Sequence, residues 1–304
     1  MLRRYTCSLA TVLAIVSCAA EEPTSEPAGT DPVAGGPTGT FVLSLEHDET
    51  PREALIYVPE SYDVTTSTPL LLNFHGFGGT SEGQLEWADM RSLSDAHGFI
   101  LAYPQGTDLD GSSHWNTSLP SPDNKSDASD FGFVDALIDA IDASYGIDAD
   151  RVYAAGYSNG GMFAFALSCH RSDRIAAVVS VSGAMLDDVP ACSPPPTAVM
   201  TLHGTEDGVI PYASGGEFGP GAQEVVDYWV DLNGITAAPE VSSDSSGGLA
   251  IEQSLYTGGT GGLEVHHYRV EGGGHDWFDF VFDGSTANEL IWDFVSRFGR
   301  DGAL

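Results

Sequence analysis

Positive charge is nearly missing from this 304-residue chain. Lys and Arg total 11 against 44 Asp and Glu, the formal net charge is −33, and Lys125 is the single lysine. Such a field repels nucleic acid and anionic membrane surfaces, which removes nucleic acid as a partner. Uncharged esters and polymers remain. The acidic surplus serves either solubility or life in high salt. Cysteine is scarce too: the four are Cys7, Cys18, Cys169 and Cys192, with no C-x-x-C spacing that would hold zinc. Neither a metal nor another cofactor is expected. Long apolar runs are absent, the run Tyr5 to Val16 being too short to span a bilayer. No internal repeat is visible.

What is there begins with an export signal. Met1-Leu-Arg-Arg4 is basic, and the apolar run after it completes a signal peptide over residues 1–17. Ile15-Val-Ser-Cys18 resembles a bacterial lipobox, in which the signal is cut before the cysteine and that cysteine is lipidated. A plain secretory signal cut after Ala19 or Ala20 is the alternative. On either reading the protein is exported; on the lipobox reading its only membrane contact is a lipid on Cys18. Residues 18–39 follow as a flexible linker, with four prolines, four glycines and four acids in positions 19–39. The domain proper is 40–304. In an oxidising compartment, Cys169 and Cys192 are expected as a disulfide, two separate buried thiols being the alternative.

The chain is organised around Gly156-Tyr-Ser158-Asn159-Gly160. Arg151 to Ala155 before it predicts a buried strand, and Gly161 to Cys169 after it predicts a helix. Strand, tight turn and helix make a nucleophile elbow: small flanking residues permit the strained turn that lifts the Ser158 hydroxyl above the sheet.

Around the elbow, strands and helices alternate. Phe41 to Leu45 and Ala54 to Val58 predict an antiparallel pair at the sheet edge. Pro69 to Phe74, Phe99 to Tyr103, Ala176 to Val181, Ala198 to Leu202 and Leu263 to Val270 predict core strands, with another at Ile251 to Tyr256. Helices are predicted over Leu85 to His97, Phe131 to Tyr145 with Asp130 as N-cap, Gln223 to Leu232 and Ala287 to Phe298. Gly106 to Ser129 reads as a long polar loop. The class is α/β: an α/β-hydrolase with a mostly parallel, doubly wound sheet and antiparallel N-terminal edge strands.

Three residues complete the pattern. Ser158, Asp207 and His275 occur in the chain order Ser, acid, His, and each follows directly on a predicted strand, so all three reach the carboxyl edge of one sheet. In this reading His275 moves the proton of Ser158 and Asp207 orients His275. The oxyanion is held by the N–H of Asn159 and an N–H from His75-Gly-Phe-Gly-Gly79, that of Phe77. His75 and His203 are expected to hydrogen-bond locally. His266 and His267 point to opposite faces of a strand. Trp115 and Trp277 are candidates for a substrate wall or plain core. Asp108-Leu-Asp110-Gly resembles part of a calcium loop but lacks the later glutamate.

Over roughly residues 55–298 the sequence resembles the secreted polyhydroxybutyrate depolymerase and feruloyl/acetylxylan esterase family of α/β-hydrolases. The segments that carry the resemblance are Leu71 to Gly79, Gly98 to Gly106, Ile147 to Met162, His203-Gly-Thr-Glu-Asp207 with Ile210-Pro-Tyr212, and Gly272 to Trp277. The resemblance implies that Ser158, Asp207 and His275 are the triad and that Trp115 and Trp277 lie near the substrate. It implies a monomeric serine esterase for feruloyl or acetyl esters of polysaccharide, or alternatively a polyester depolymerase. Two departures stand out. Cysteines common in relatives around Ile235 and Gly258 to Gly259 are absent, and Asp276-Trp-Phe-Asp-Phe280 replaces the usual Trp-Pro-Gly after the histidine. No separate carbohydrate- or polyester-binding domain is visible, which favours soluble esters and chain ends.

Overall fold

The computed structural model describes residues 35–119, 124–186, 188–213 and 218–304. The expected signal segment 1–17, Cys18 and most of the 18–39 linker lie outside the described residues. The centre is a ten-stranded sheet. Its strands are β1 (Gly39–His47), β2 (Thr50–Val58), β3 (Thr68–Phe74), β4 (Ile100–Pro104), β7 (Ile147–Tyr157), β8 (Ala177–Val181), β9 (Ala198–Gly204), β10 (Glu240–Ser246), β11 (Leu249–Tyr256) and β12 (Val265–Glu271). A separate hairpin, β5 (Thr107–Leu109) and β6 (Ser112–His114), stands above it. The order across the large sheet is β1-β2-β4-β3-β7-β8-β9-β12-β11-β10. The six central strands from β4 to β12 are parallel, and an antiparallel pair closes each edge.

The parallel strands are buried on both faces, which is why they read as continuous apolar runs. Along β3, Leu70, Leu72 and Phe74 face one core and Leu71 faces the other. The first core is covered by α3 (Asp130–Tyr145), α4 (Asn159–His170) and α6 (Ala222–Leu232), through Val134, Phe163 and Trp229. The second is covered by α1 (Ser81–Trp87), α2 (Arg91–His97) and α7 (Ala287–Val295), chiefly through Ile291, Trp292 and Phe294 of α7. Trp292 stacks on Phe99 with ring centres 3.6 Å apart. Cys169, at the end of α4, is disulfide-bonded to Cys192 of α5 (Asp188–Cys192). Their Cα atoms are 6.3 Å apart, within the range for a disulfide. Such a link constrains the unfolded chain by roughly 3 kcal/mol. Among the described residues no helix is long and apolar enough to cross a membrane.

Three local expectations are corrected, and one strand appears where the sequence pattern signals none. The single helix expected over Leu85 to His97 is two helices, because Tyr103 reaches between them: its hydroxyl donates to the Ala88 carbonyl and accepts from the Met90 N–H. The break turns Trp87 outward, 56% exposed, while Met90 is buried. Asp130 is not the N-cap of α3. Ser129 holds that position, and the Asp130 carboxylate instead takes Arg52 and the Asn116 N–H. The polar loop after Gly106 contains the β5–β6 hairpin, turned at Asp110 (φ 54°) and Gly111 (φ 86°), so the calcium-like acids serve a turn: Asp108 accepts the Gly111 N–H. Finally, β10 is a strand that carries no apolar alternation. Glu240–Ser246 is almost wholly exposed, and its pairing with β11 through Gly247 and Gly248 is what makes it extended.

Candidate active site

β7 ends at Tyr157 and α4 begins at Asn159, so Ser158 occupies the turn alone. Its backbone is strained, at φ 52° and ψ −116°. The turn is tight enough that a Cβ on Gly160 would lie 2.2 Å from the Phe74 carbonyl oxygen, and one on Gly156 would lie 2.3 Å from Gly160. Only glycine lets the helix start this close to β3. The turn leaves Ser158 9% exposed at the carboxyl edge of the sheet.

His275, beyond the end of β12, reaches both neighbours. Its Nδ1 is 2.8 Å from Oδ2 of Asp207 and its Nε2 is 2.9 Å from Oγ of Ser158. A carboxylate can only accept, so Nδ1 carries the proton and Nε2 accepts from the serine hydroxyl. This is the relay geometry needed to activate a serine.

Asp207 is held on every side. Oδ1 accepts the N–H groups of Val209 and Ile210, both at 2.8 Å. His203 Nε2 donates to the Ile210 carbonyl at 2.9 Å and lies 3.4 Å from Oδ2. Burial pushes the Asp207 carboxyl up, but the hydrogen bonds from His203, His275, Ile210 and Val209 outweigh it and bring it down to about 2. The folded value is below the unfolded one, so this group stabilises the fold above about pH 4. That contribution, about 2 kcal/mol, is lost as pH falls from about 4 to about 2. Asp207→Asn is expected to flatten the stability curve across that window. Urea unfolding from pH 7 to pH 2 tests it, and equal slopes for parent and variant would contradict it.

Below Asp207 lies a neutral network. His267 is bonded to Thr201 at one nitrogen and to Tyr212 at the other, both at 2.7 Å, and burial pushes it down to about 3. His266 points the other way, to Glu264, as the alternation of the strand requires.

The His75 to Gly79 loop is braced from behind. His75 Nδ1 donates to the Gly76 carbonyl at 2.7 Å, and Nε2 accepts from the Gly106 N–H at 2.9 Å. Gly78 N–H donates to Ser113 of the β5–β6 hairpin, Gly79 N–H donates to Gly76, and the Ser113 hydroxyl donates to the Gly79 carbonyl. Among the described residues, no acceptor is bonded to the N–H of Phe77. The N–H of Asn159 is one of the donors a helix start leaves without an intrahelical partner. The loop passes close to the elbow: a Cβ on Gly76 would lie 3.2 Å from Cβ of Ser158.

Neither Trp115 nor Trp277 lines the groove beside the His75 to Gly79 loop. Trp115 is 2% exposed, stacks on Phe163 and donates its indole N–H to the His75 carbonyl at 3.0 Å. The Asn159 amide clamps its backbone, accepting from the N–H at 2.8 Å and donating to the carbonyl at 3.1 Å. Trp115 therefore ties the loop to the start of α4 from behind. Trp277 is also buried and donates to Asn288. The groove itself, about 320 Å³, is lined by the loop residues His75 to Thr80 with Gly83, Gln84, Glu86, Trp87 and Tyr157. Its aromatic walls are Phe77, Trp87 and Tyr157. The Tyr157 ring lies 5.3 Å from Trp87 and 5.0 Å from His275, and its hydroxyl donates to the His275 carbonyl. Trp87 escaped sequence reasoning because its helical spacing with Met90 suggested core. Tyr157 stood inside the elbow motif at a position the motif leaves open.

Residues 63–244 match the model of the phospholipase/carboxylesterase family, which is more than half of the chain. The chain belongs to that family. It is accordingly a carboxylic ester hydrolase with the α/β-hydrolase fold. The match ends before His275, so that residue's place beside Ser158 rests on geometry. The chain is 27% identical over 258 residues to the bifunctional acetylxylan esterase/xylanase XynS20E of Neocallimastix patriciarum, covering 83% of this chain and 34% of that protein. It thus spans about a third of that relative's length. Feruloyl esterase D of Neurospora crassa is 27% identical over 253 residues, covering 81% of this chain and 82% of that one. Among solved structures, the acetyl xylan esterase from Aspergillus awamori aligns with a TM-score of 0.60 at 15% identity, over 84% of this chain and 99% of that one. At that identity the likeness speaks for the fold.

Proposed function

We propose that this chain is an exported serine esterase that releases feruloyl or acetyl groups from plant polysaccharide through an acyl-enzyme. The observation that carries the chemistry is the unbroken chain of hydrogen bonds from Asp207 through His275 to Ser158, next to a groove walled by Tyr157, the residue before the serine. Relatives named as acetylxylan and feruloyl esterases support the substrate class. Export rests on residues 1–18 of the sequence, by secretion or by a lipid on Cys18.

The reaction follows from the geometry. Ser158 Oγ attacks the ester carbonyl as its proton passes to Nε2 of His275. The carbonyl oxygen becomes an oxyanion, held by the N–H groups of Phe77 and Asn159. His275 then gives the proton to the leaving alcohol, and the acyl group stays on Ser158. A water enters, gives its proton to His275 and attacks the acyl carbon. Collapse frees the acid and returns the proton to Ser158. Asp207, kept ionised by its four partners, stabilises the imidazolium in both halves.

Purified residues 19–304 should be assayed for kcat/KM on methyl ferulate, an acetylated xylan and short 3-hydroxybutyrate oligomers. The expected result is an advantage of tenfold or more for a feruloyl or acetyl ester, about 1.4 kcal/mol of transition-state preference. An equal advantage for the hydroxybutyrate oligomers would replace this reading with a polyester depolymerase.

A further inference from the structure

His275 stands on neither a helix nor a strand. β12 ends at Glu271, and the chain then runs through Gly272-Gly-Gly274 before it reaches the histidine. Gly272 has a left-handed φ of 72°, and a side chain on Gly274 would meet nothing within 4 Å. Three glycines in a row leave this approach wide backbone freedom. Among the described residues, no backbone–backbone hydrogen bond reaches Gly274, His275 or Asp276. Yet Nε2 of His275 has to stay within reach of Ser158 Oγ in both halves of the reaction. A misplacement of about 1 Å can cost about 100-fold in rate. Asp207 fixes the ring at Nδ1, but not the main chain that carries it.

Two hydroxyls hold that main chain, on consecutive carbonyls. Tyr157 donates to the His275 carbonyl at 3.0 Å, and Ser182 donates to the Asp276 carbonyl at 2.9 Å. Tyr157 is the residue before the nucleophile. Ser182 follows β8, whose last residue, Val181, accepts the Ser158 N–H at 2.9 Å. The end of β8 therefore takes hold of the nucleophile's backbone with one residue and of the histidine's loop with the next. Burial pushes the Tyr157 hydroxyl up to about 12, so it keeps its proton to donate at neutral pH.

Ser182 is fully buried, with a left-handed φ of 49°. A non-glycine residue adopts that conformation at a cost, and such strain gathers at functional sites. What serine adds over glycine at this position is the hydroxyl, and the acceptor of that hydroxyl is the histidine's loop. We propose that Ser182 is a positioning residue for His275, acting through the Asp276 carbonyl, with Tyr157 as its counterpart at the His275 carbonyl. The pair ties the base's loop to the two segments that flank the nucleophile. The inference rests on the serine esterase reading above and adds what keeps its histidine in place.

The test compares the parent with Ser182→Ala, Ser182→Gly, Tyr157→Phe and the double variant Ser182→Ala with Tyr157→Phe. Phenyl acetate serves as substrate, because a small ester makes the result independent of polymer preference. Each single variant should lose about 5- to 10-fold in kcat, with KM changed by less than about threefold. The double variant should lose about 100-fold or more, since either tie by itself still restrains the neighbouring peptide. Ser182→Gly removes the same hydroxyl but relieves the left-handed strain. It should therefore lose as much activity as Ser182→Ala while unfolding at a urea midpoint no lower than that of the alanine variant. Activity that follows stability, with Ser182→Gly near the parent, would make Ser182 merely structural and overturn the proposal. Single variants within twofold of the parent would overturn it as well, whether or not the double variant folds. Ser158→Ala is run beside them: parental turnover there would bring down the serine esterase reading itself, an outcome separate from any result at Ser182 or Tyr157.

Discussion

Ser158→Ala is expected to lower kcat by about 10⁶-fold on whichever ester the parent prefers, the scale seen when a serine protease loses its nucleophile. The substitution removes one oxygen and one hydrogen bond, that to His275. The turn that holds it stays in place, because it is set by the close approach of Gly160 to β3 and by the Ser158 N–H bond to Val181. Alanine tolerates the positive φ no worse than serine does. The thermal midpoint should therefore stay within a few degrees of the parent while labelling by a fluorophosphonate disappears. Turnover at the parental rate would mean that another group attacks the ester. A large loss of stability together with activity would mean that the Ser158 hydroxyl holds the elbow rather than reacting. Measuring kcat/KM and thermal unfolding on the same preparation separates these outcomes.

Arg52→Ala is expected to cost about 3–5 kcal/mol of stability, the range for breaking a buried ion pair from one side. Arg52 is 5% exposed and Asp130 is 1% exposed, and their charged atoms are 2.9 Å apart. The guanidinium lies 3.9 Å over the Phe133 ring and also reaches the Gln105 carbonyl. Burial pushes the Asp130 carboxyl up and the Arg52 guanidinium down, in both cases against the attraction between them. Removing Arg52 leaves a carboxylate in the core whose hydrogen-bond partner, among the described residues, is the Asn116 N–H. The double substitution Arg52→Met with Asp130→Leu should cost less than Arg52→Ala, because it leaves no stranded charge. Urea unfolding of the three proteins tests this. A single variant within 1 kcal/mol of the parent, or a double variant worse than the single, would show that the pair is not what holds this region. Activity should fall with Arg52→Ala as well. Asp130 fixes Asn116; the preceding residue, Trp115, holds the His75 carbonyl, and the Asn159 amide clamps Trp115.

Much of the fold was legible because its signals are local. Buried parallel strands must be continuous apolar runs, and β3, β8 and β9 are. Ser158, Asp207 and His275 each follow a strand, and strands of one parallel sheet end on one edge, so chain position was enough to bring them together. The failures share a different cause. β10 is exposed on both faces and takes its conformation from its partner, so its own residues carry no period. Asp130 has the identity of an N-cap, but a buried arginine from β2 competes for its carboxylate and wins. Trp87 and Met90 have helical spacing, but the tyrosine of a later strand splits the helix between them.

The sequence by itself determined the class of sheet, the elbow, the chain order of Ser158, Asp207 and His275 and the scarcity of positive charge. Each of these is written in neighbouring residues or in composition. Only the tertiary structure decided that Trp115 braces the loop instead of walling the groove, that His203 joins the partners of Asp207, and that Trp87 stands exposed beside Tyr157. These depend on contacts between residues far apart in the chain, and a periodic pattern records which side of an element is buried, not which distant residue meets it there.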